Sequence, residues 1–301
     1  MLEILPQIIW YSLLAGAIYA LIAIGLTLIF GILGFINFAH GDMAMLGAYL
    51  FFALSIFLKI PYWASFIIVI PAAALIGIVI EKLTFKPVRK SPPVTPLVIS
   101  IGVGAVIQAI VLLLFGAEVR SYRQEGDLMT QTYSFFDNSL VITQSQIFLM
   151  VVTALLLGGL HLFLKYSKQG KAIRAVADNQ DVASILGINI DTTVSLIFAL
   201  GTVLAAIGGL LIANEQNLNV TMGISLGVKA FAAIVLGGVG NLLGAVVGAM
   251  VIGFSENFIV GFTPVPANFK DGIVFFLLII VLFVKPGGIL GAKREEDVRG
   301  K

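Results

Sequence analysis

The sequence predicts an all-α integral membrane protein with about eight transmembrane helices. Of its 301 residues, 59% are hydrophobic and only 11% are charged, whereas about a quarter of the residues in soluble domains are charged. The apolar residues form long runs, and about 20 such residues cross the hydrocarbon core as a helix. We therefore expect residues 1–301 to form a single transmembrane domain.

The first apolar runs are interrupted by a polar break. Residues 8–30 predict the first span, residues 31–41 (GILGFINFAHG) predict a broken helix, and residues 42–58 predict a second apolar helix. Irregular backbone near the membrane is tolerated only where it is buried in protein or lines a cavity. A third span is expected over residues 61–80.

The segment at residues 81–96 is expected to be an extended cytoplasmic loop. It holds four basic residues and four prolines; basic residues collect in cytoplasmic loops, and proline disfavours helix in the residue before it. A fourth span is predicted over residues 97–115 and a fifth over residues 146–164. Between them, residues 116–145 mix basic and acidic side chains, which favours an external loop.

The polar stretch at residues 170–191 (GKAIRAVADNQDVASILGINID) predicts a helix and a turn outside the bilayer. Its apolar residues recur near helical spacing with charges between them, the pattern of an amphipathic helix. Lys165 and Lys168 just ahead of it place the loop at residues 165–192 on the cytoplasmic side. We expect an ATPase to dock here; a solvated connector without a partner is the alternative.

The C-terminal third contains a second broken helix. Residues 226–236 are too short to cross comfortably, and GGVGN at residues 237–241 interrupts them before the chain can cross again. The polar residues 214–219 precede this region as a solvated loop or a docking surface. The spans predicted in this third cover residues 193–213, 242–258 and 272–284.

The distribution of Lys and Arg predicts the orientation of the chain. Thirteen of the 18 lie in the two predicted cytoplasmic loops and the C-terminal tail, and such residues are retained on the cytoplasmic side. We therefore expect the N-terminus outside and the C-terminus in the cytoplasm.

Four polar residues near the membrane are candidates for a translocation path, because discontinuous helices often mark one. Asp42 alternatively caps the second helix, where an acid is favoured near the positive end of the helix dipole. His40 is alternatively a satisfied loop histidine, and Gln108 forms either an interhelical hydrogen bond or part of a pore. The four candidates are Asn37, His40, Asp42 and Gln108.

The sequence contains no motif of an enzyme or a metal site. It has no cysteine, no GxxxxGK[ST] loop for nucleotide phosphates, no HExxH pair and no GxSxG turn. We therefore expect no catalytic residue, metal ion or cofactor in this chain. Its basic residues lie at bilayer edges and not on one face, so no nucleic-acid partner is expected.

Three motifs and the end of the chain resemble the permeases of branched-chain amino acid ABC importers. In order, these segments extend over nearly the whole chain, and the short N-terminus resembles the smaller of the two permease types in such importers. Asp42 departs from the Glu expected after the His-Gly pair but retains an acid. The segments are GLTLIFGILGFINFAHGDMAMLGAY (25–49), residues 170–191, GVKAFAAIVLGGVGNLLGAVVGAMVIG (227–253) and KPGGILG (285–291).

The resemblance implies the fold of a type II ABC importer permease and a larger assembly. The implied partners are a second related permease, two cytoplasmic ATPases that bind the ATP, and an extracytoplasmic substrate-binding protein. It also implies a multi-pass location in a bacterial or archaeal plasma (inner) membrane. Within the matching motifs, the residues expected to contact an ATPase are Gly170, Arg174, Ala177, Asn179, Gly187, Ile188, Gly237, Gly238, Gly240 and Gly244.

The expected function is ATP-driven, alternating-access transport of branched-chain or other neutral amino acids. Related permeases move urea or short amides, so the same machinery with that substrate is one alternative. A stand-alone secondary transporter is another. It requires ion-coupling carboxylates within spans, and Asp42, at a helix boundary, is the only one expected.

Overall fold

The computed structural model describes residues 2–121, 131–135, 137, 139–266 and 269–291. Across these residues the chain forms eleven α-helices and one β-hairpin. The helices are α1 (Leu5–Leu33), α2 (His40–Phe52), α3 (Tyr62–Ile80), α4 (Val94–Phe115), α5 (Gln144–Tyr166), α6 (Lys168–Asp178), α7 (Gln180–Ile185), α8 (Ile190–Glu215), α9 (Met222–Gly237), α10 (Leu242–Phe262) and α11 (Lys270–Val284); the strands are β1 (Thr132–Phe135) and β2 (Leu140–Thr143).

Seven of the described helical segments are long and apolar enough to cross a membrane. They are built on α1 to α5, α8 and α10, and each overlaps a predicted span. Two shorter helices, α9 with 16 residues and α11 with 15, accompany them. At 1.5 Å per residue these reach only about 24 Å, less than a hydrocarbon core of about 30 Å. The predicted all-α membrane fold is confirmed.

Both predicted helix breaks are present. α1 ends at a left-handed Gly34 with φ of 69°, and α2 begins six residues later at His40. The turn between α9 and α10 contains Gly238 and Gly240 at φ of 114° and 83°. These backbone conformations are readily adopted only by glycine, so the glycines end the helices where the sequence suggested.

The helices α1 and α8 form the centre of the molecule. In each, 83% of the apolar window is buried; α1 packs along α10, α8 and α9, and α8 packs against α2 and α3. In contrast, α3, α4 and α5 bury only 22% of theirs. Their apolar outer faces are left for lipid or for another membrane subunit.

Glycines bring the central helices into close contact. Gly209 of α8 lies against the carbonyl group of Ala44 in α2, and Gly47 of α2 lies against Ala206. A β-carbon on either glycine would overlap these atoms. Because lipid provides no hydrophobic drive between helices, this close backbone approach supplies dispersion contacts instead.

The expectation of an extended loop at residues 81–96 is wrong. α3 continues through a π-helical turn (Glu81–Phe85) and a 3-10 turn (Lys86–Val88) before α4 begins. The ring of Phe85 is buried between Phe35 and Phe198, with centroid distances of 5.5 and 5.2 Å. Burial of this ring holds the chain helical beyond Ile80, the end of α3.

The long loop at residues 116–145 contains a hairpin that the sequence analysis did not predict. β1 pairs antiparallel with β2, from Thr132 opposite Thr143 to Phe135 opposite Leu140. Residues 122–130, 136 and 138 of the loop lie outside the described residues, as does the basic tail from residue 292 onward.

Candidate functional site

The first helix break brings two of the candidate path residues together. Asp42 lies in the first turn of α2, and its Oδ1 accepts a hydrogen bond of 2.8 Å from Gln108 Nε2 on α4. The N-cap residue is Ala39, and no side chain caps this helix. Interpreting Asp42 as a cap is therefore wrong, because its carboxylate turns across to α4, where Gln108 forms the interhelical bond.

The other two candidates are buried beside the break. His40 begins α2, so it is not a loop residue, and its Nε2 lies 3.0 Å from the carbonyl oxygen of Ile22. Asn37 Oδ1 accepts the backbone N–H of Ala39 at 3.2 Å. Within the described residues, Asn37 Nδ2 and His40 Nδ1 are buried without a hydrogen-bond partner. The break thus offers two unfilled polar positions inside the bundle.

Glycines make room for the Asp42 side chain. Gly104 of α4 and Gly223 of α9 face its two carboxylate oxygens, and a β-carbon on either would collide with them. Gly41 lies against the backbone of Gly223 and Gly227. Asp42 is only 5% exposed. Its carboxylate is therefore enclosed by backbone and not by a cationic side chain.

A charged cluster that sequence reasoning missed lies where α1, α9, α10 and α11 meet. Lys229 Nζ lies 2.9 Å from Glu256 Oε1 and 3.1 Å from Asp271 Oδ1. Tyr19 donates to Glu256 Oε2 at 3.0 Å, and Lys229 donates to the Tyr19 oxygen at 3.2 Å. Glu256 is 1% exposed and Lys229 7%. Charges at such depth persist when they are paired and hydrogen-bonded.

Glu256 overturns the expectation that Asp42 is the only carboxylate within a span. Its position in the apolar run of α10 was a visible signal, as was that of Lys229 in α9. What the sequence did not show is that the two side chains meet. Because Glu256 is held by Lys229 and Tyr19, the cluster joins helices and does not present a free carboxylate.

A cavity of about 380 Å³ adjoins this cluster. It lies between the end of α8, the loop that follows, and the starts of α9 and α11. Asp271 and Lys270 line it beside Lys229, and the Asp271 carboxylate also accepts a hydrogen bond of 3.1 Å from Ser225. The polar loop that follows α8 supplies one wall through Gln216, Asn217 and Asn219.

The predicted amphipathic helix and turn are confirmed as α6 and α7. Ile173 and Val176 form the buried face of α6, as their spacing predicts. Gly170 is buried against Leu164 at the end of α5, where a β-carbon would overlap the backbone. Gly170 therefore sets the close crossing of α5 and α6 and does not face outward.

The remaining predicted docking residues of this segment divide into two groups. Arg174 and Ala177 are exposed on the outer side of α6. Asn179 caps α7 through its side-chain oxygen, Gly187 ends the following turn at φ of 82°, and the backbone N–H of Ile188 closes that turn. Only the first group offers side chains to a partner; the second shapes the backbone.

Three large apolar side chains on and beside α7 are exposed. Val182 is 51% exposed, Ile185 85% and Leu186 72%; we call these three residues the apolar patch. They lie in a polar segment of the chain, outside every long apolar helix. Exposed apolar side chains grouped in this way are found at sites of protein–protein or membrane contact.

An ion-pair network links the segment that carries the apolar patch to α3. Arg89 donates to Glu81 Oε1 at 2.5 Å and to Asp191 Oδ1 at 2.8 Å. Lys86 Nζ pairs with Asp191 Oδ2 at 2.8 Å, and Ser195 donates to Glu81 Oε2 at 2.7 Å. Asp191 lies in the first turn of α8, immediately after the turn that follows α7. The network therefore joins the end of α3 to the start of the central helix α8.

The four predicted docking glycines of the GGVGN region serve mainly to build its turn. Gly237 and Gly244 pack against each other, and Gly238 is buried against Gly291 near the end of the described chain. Only Gly240 is exposed. The C-terminal segment pairs onto this turn, since the N–H of Leu290 donates to the carbonyl of Gly237 at 2.8 Å.

Comparison with known proteins places this architecture in a family. Residues 8–282 match the family described as the permease component of the branched-chain amino acid transport system. The high-affinity branched-chain amino acid transport system permease protein BraD of Pseudomonas aeruginosa is 35% identical, over 98% of this chain and 100% of BraD. The corresponding permease protein LivH of Salmonella typhimurium is 37% identical, over 94% of each chain.

A second permease protein of the Salmonella typhimurium system, LivM, is also related. It is 22% identical over 93% of this chain, which corresponds to 69% of LivM. LivM is thus the longer protein, and the predicted resemblance to the smaller permease type is confirmed by the higher identity to LivH.

The fold also has a solved counterpart. A chain of PsaBC from Streptococcus pneumoniae, in complex with Fab, is similar with a TM-score of 0.51 and 14% identity, over 92% of this chain and 91% of that one. At this identity the likeness concerns the fold alone. The family match over residues 8–282 and the 35–37% identity over nearly the full length carry the classification: this protein belongs to the family of permease components of branched-chain amino acid transport systems.

Proposed function

We propose that this protein is the membrane-spanning subunit of an ATP-driven importer for branched-chain or other neutral amino acids. Its partners are a second related permease, two cytoplasmic ATPases that bind the ATP, and an extracytoplasmic substrate-binding protein. It lies in a bacterial or archaeal plasma (inner) membrane with its N-terminus outside and its C-terminus in the cytoplasm. The observation that carries the proposal is the apolar patch, Val182, Ile185 and Leu186.

The apolar patch supports docking of a soluble subunit. Arg174 and Asp178 are exposed on the preceding helix and Asp181 is exposed on α7, so a charged rim accompanies an apolar centre, the composition of a protein interface. Burying a large aliphatic side chain contributes about 1.5–3 kcal/mol. Burial of three such side chains would stabilise a complex with an ATPase, whereas a solvated connector without a partner would leave them exposed to water.

The contacts of Arg89 offer a route from the ATPase to the central helices. Motion of α6 and α7 acts on Asp191, and Arg89 couples Asp191 to Glu81 at the end of α3. α8 continues from Asp191 through the middle of the bundle, in contact with α2 at Gly209. Tilting α8 and α3 together changes access to the break at the start of α2, which is how ATP drives alternating access.

The polar groups at that break suit a zwitterionic substrate. An amino acid cannot cross lipid unaided, because its charged groups lose their hydration. The carboxylate of Asp42 and the unfilled polar atoms of Asn37 and His40 lie inside the bundle, next to apolar helices. The family description and the names of BraD and LivH support branched-chain amino acids as the substrate.

The test is uptake of radiolabelled leucine into proteoliposomes that hold this chain with its partner subunits. Internal ATP should be required. Ile185→Asp should abolish uptake and reduce co-purification of the ATPase, since it places a charge in the apolar patch. Ser184→Asp is the matched control, because it adds the same charge at the neighbouring exposed position. Arg174→Glu tests the charged rim.

Three results would change the proposal. Uptake without ATP or partner subunits would favour a secondary transporter. ATP-driven uptake of urea or a short amide, without leucine uptake, would retain the machinery and replace the substrate. Uptake by the Ile185→Asp variant at the rate of the unchanged protein would rule out the apolar patch as the docking site.

A further inference from the structure

We infer that the cavity between α8, α9 and α11 is a binding site for a free, zwitterionic amino acid with an aliphatic side chain. This inference rests on the proposed transport function and adds a place at which this chain itself recognises the substrate. Asp271 would bind the ammonium group, Lys270 the carboxylate, and Ile212, Met222 and Leu226 the side chain.

The size and shape of the cavity suit this ligand. Its volume of about 380 Å³ falls in the range of small-molecule sites, roughly 300–1,000 Å³. Ile212, Met222 and Leu226 line it together with the charged residues. Since all three apolar side chains are buried in the bundle, the apolar part of the wall is preformed.

The charges on the wall are opposite and close in the chain. Lys270 and Asp271 are consecutive at the start of α11, and both line the cavity. The Asp271 side chain is 50% exposed, so its carboxylate retains open hydrogen-bonding capacity after bonding to Lys229 and Ser225. Lys270 Nζ uses one hydrogen bond, to Asn257 at 3.2 Å, although an ammonium has three donors.

Lys229 is not the ligand group, although it lines the cavity. Its ammonium donates a hydrogen bond of 3.2 Å to the Tyr19 hydroxyl and forms ion pairs with Glu256 and Asp271 at 2.9 and 3.1 Å, so three groups of the protein already hold it. Glu256 balances its charge. The pair that remains, Lys270 and Asp271, is neutral in sum, so the site favours a zwitterion over a cationic or anionic amino acid.

The experiment uses the absence of cysteine from the chain. Thr221→Cys places a thiol on the exposed wall of the cavity, where Thr221 is a lining residue. The full complex, without the binding protein, is treated with a thiol reagent, and modification of this chain is followed by mass. Leucine should slow the modification, whereas a Glu118→Cys reporter, at an exposed position that does not line the cavity, should be unaffected.

Two analogues and two variants test the assigned contacts. Leucinamide lacks the carboxylate and 4-methylpentanoate lacks the ammonium, so each should protect less than leucine. Asp271→Asn should raise the leucine concentration for half-protection about tenfold, as expected for loss of one charged hydrogen bond, and should abolish the preference for leucine over 4-methylpentanoate. Lys270→Gln should abolish the preference for leucine over leucinamide.

Several results would overturn the inference. These are equal modification with and without leucine, equal protection of both reporters, equal protection by leucine and both analogues, and unchanged half-protection in both variants. A reporter that only the binding protein shields would assign the cavity to docking of that protein. ATP-driven leucine uptake without protection of the reporter would refute this site and leave the proposed function unchanged. Protection of the reporter without ATP-driven uptake would support the site and refute the proposed function.

Discussion

Lys229 and Glu256 are single charged residues in apolar helices, and each is tolerated because of the other. A charged side chain at the centre of a bilayer costs at least about 2.5–3.5 kcal/mol. Here the Tyr19 hydroxyl donates to the carboxylate and accepts from the ammonium, at 3.0 and 3.2 Å. The cluster therefore depends on both charges being present at once.

Glu256→Gln should destabilise the protein, because it leaves the buried ammonium of Lys229 without its main counter-charge. Breaking a buried pair from one side costs about 3–5 kcal/mol. The measurement is the thermal unfolding midpoint of the purified complex in detergent. The double variant Glu256→Gln with Lys229→Met should recover part of the loss, since no unpaired charge remains.

Glu118→Gln is the control for that prediction, as Glu118 is 85% exposed and its replacement should change stability by less than about 0.5 kcal/mol. An unfolding midpoint for Glu256→Gln equal to that of Glu118→Gln would show that the buried pair is not required. A double variant less stable than either single one would show that its members act independently.

Of the contacts between helices, the one between α2 and α8, which we call the seam, lies directly beside the helix that tilts in the proposed motion. Gly209 faces the carbonyl of Ala44, and Gly47 faces Ala206, so the two backbones touch over about one turn. Packing of this kind is sensitive to one added carbon. In the proposed motion, it also sets the distance at which α8 would tilt past the helix that carries Asp42.

Gly209→Ala should therefore weaken the fold and slow uptake together. Overpacking a tight contact costs about 1–3 kcal/mol. Gly102→Ala is the matched control, because Gly102 lies within α4 and a β-carbon there would meet nothing within 4 Å. It should be neutral or slightly stabilising, since alanine is the better helix former by about 1 kcal/mol. Equal unfolding midpoints and uptake rates in the two variants would contradict the claim that close packing of α2 against α8 is needed for stability and transport.

At the scale of the whole molecule, the two ends of the bundle carry different structures. One end bears the end of α4, the β-hairpin and the cavity, and Arg120 after α4 pairs there with Leu218. The other bears α6, α7 and the Arg89 network. The proposed orientation assigns the first end to the outside and the second to the cytoplasm.

Single cysteines in the cysteine-free chain test this orientation. A membrane-impermeant maleimide should label Glu118→Cys in intact cells and Ser184→Cys only after permeabilisation, because both positions are exposed but at opposite ends of the bundle. The Gly102→Cys variant, within α4, reports background labelling in the membrane. Labelling of Ser184→Cys in intact cells would show that the orientation is the opposite one. The apolar patch would then lie outside the cell, where a cytoplasmic ATPase cannot reach it.

Seven of the spans, both helix breaks and the amphipathic segment could be predicted from the sequence, because each depends on residues close together in the chain. The predicted eighth span, residues 272–284, lies in α11, which has only 15 residues and is not among the described helices long enough to cross a membrane. Apolar length predicts a span, GGVGN predicts a turn, and the spacing of Ile173 and Val176 predicts the buried face of α6. The family resemblance followed from the same local motifs. These features arise from backbone hydrogen bonding in lipid and from side-chain periodicity, which a neighbouring helix does not alter.

Only the tertiary structure decided which polar groups meet. The pairing of Asp42 with Gln108, the cluster around Lys229 and the cavity beside Asp271 each join residues from different helices. The continuation of α3 past Ile80 likewise depends on burial of the Phe85 ring between two other helical segments. The energies of these contacts depend on which helices lie side by side, and local sequence patterns do not specify that arrangement.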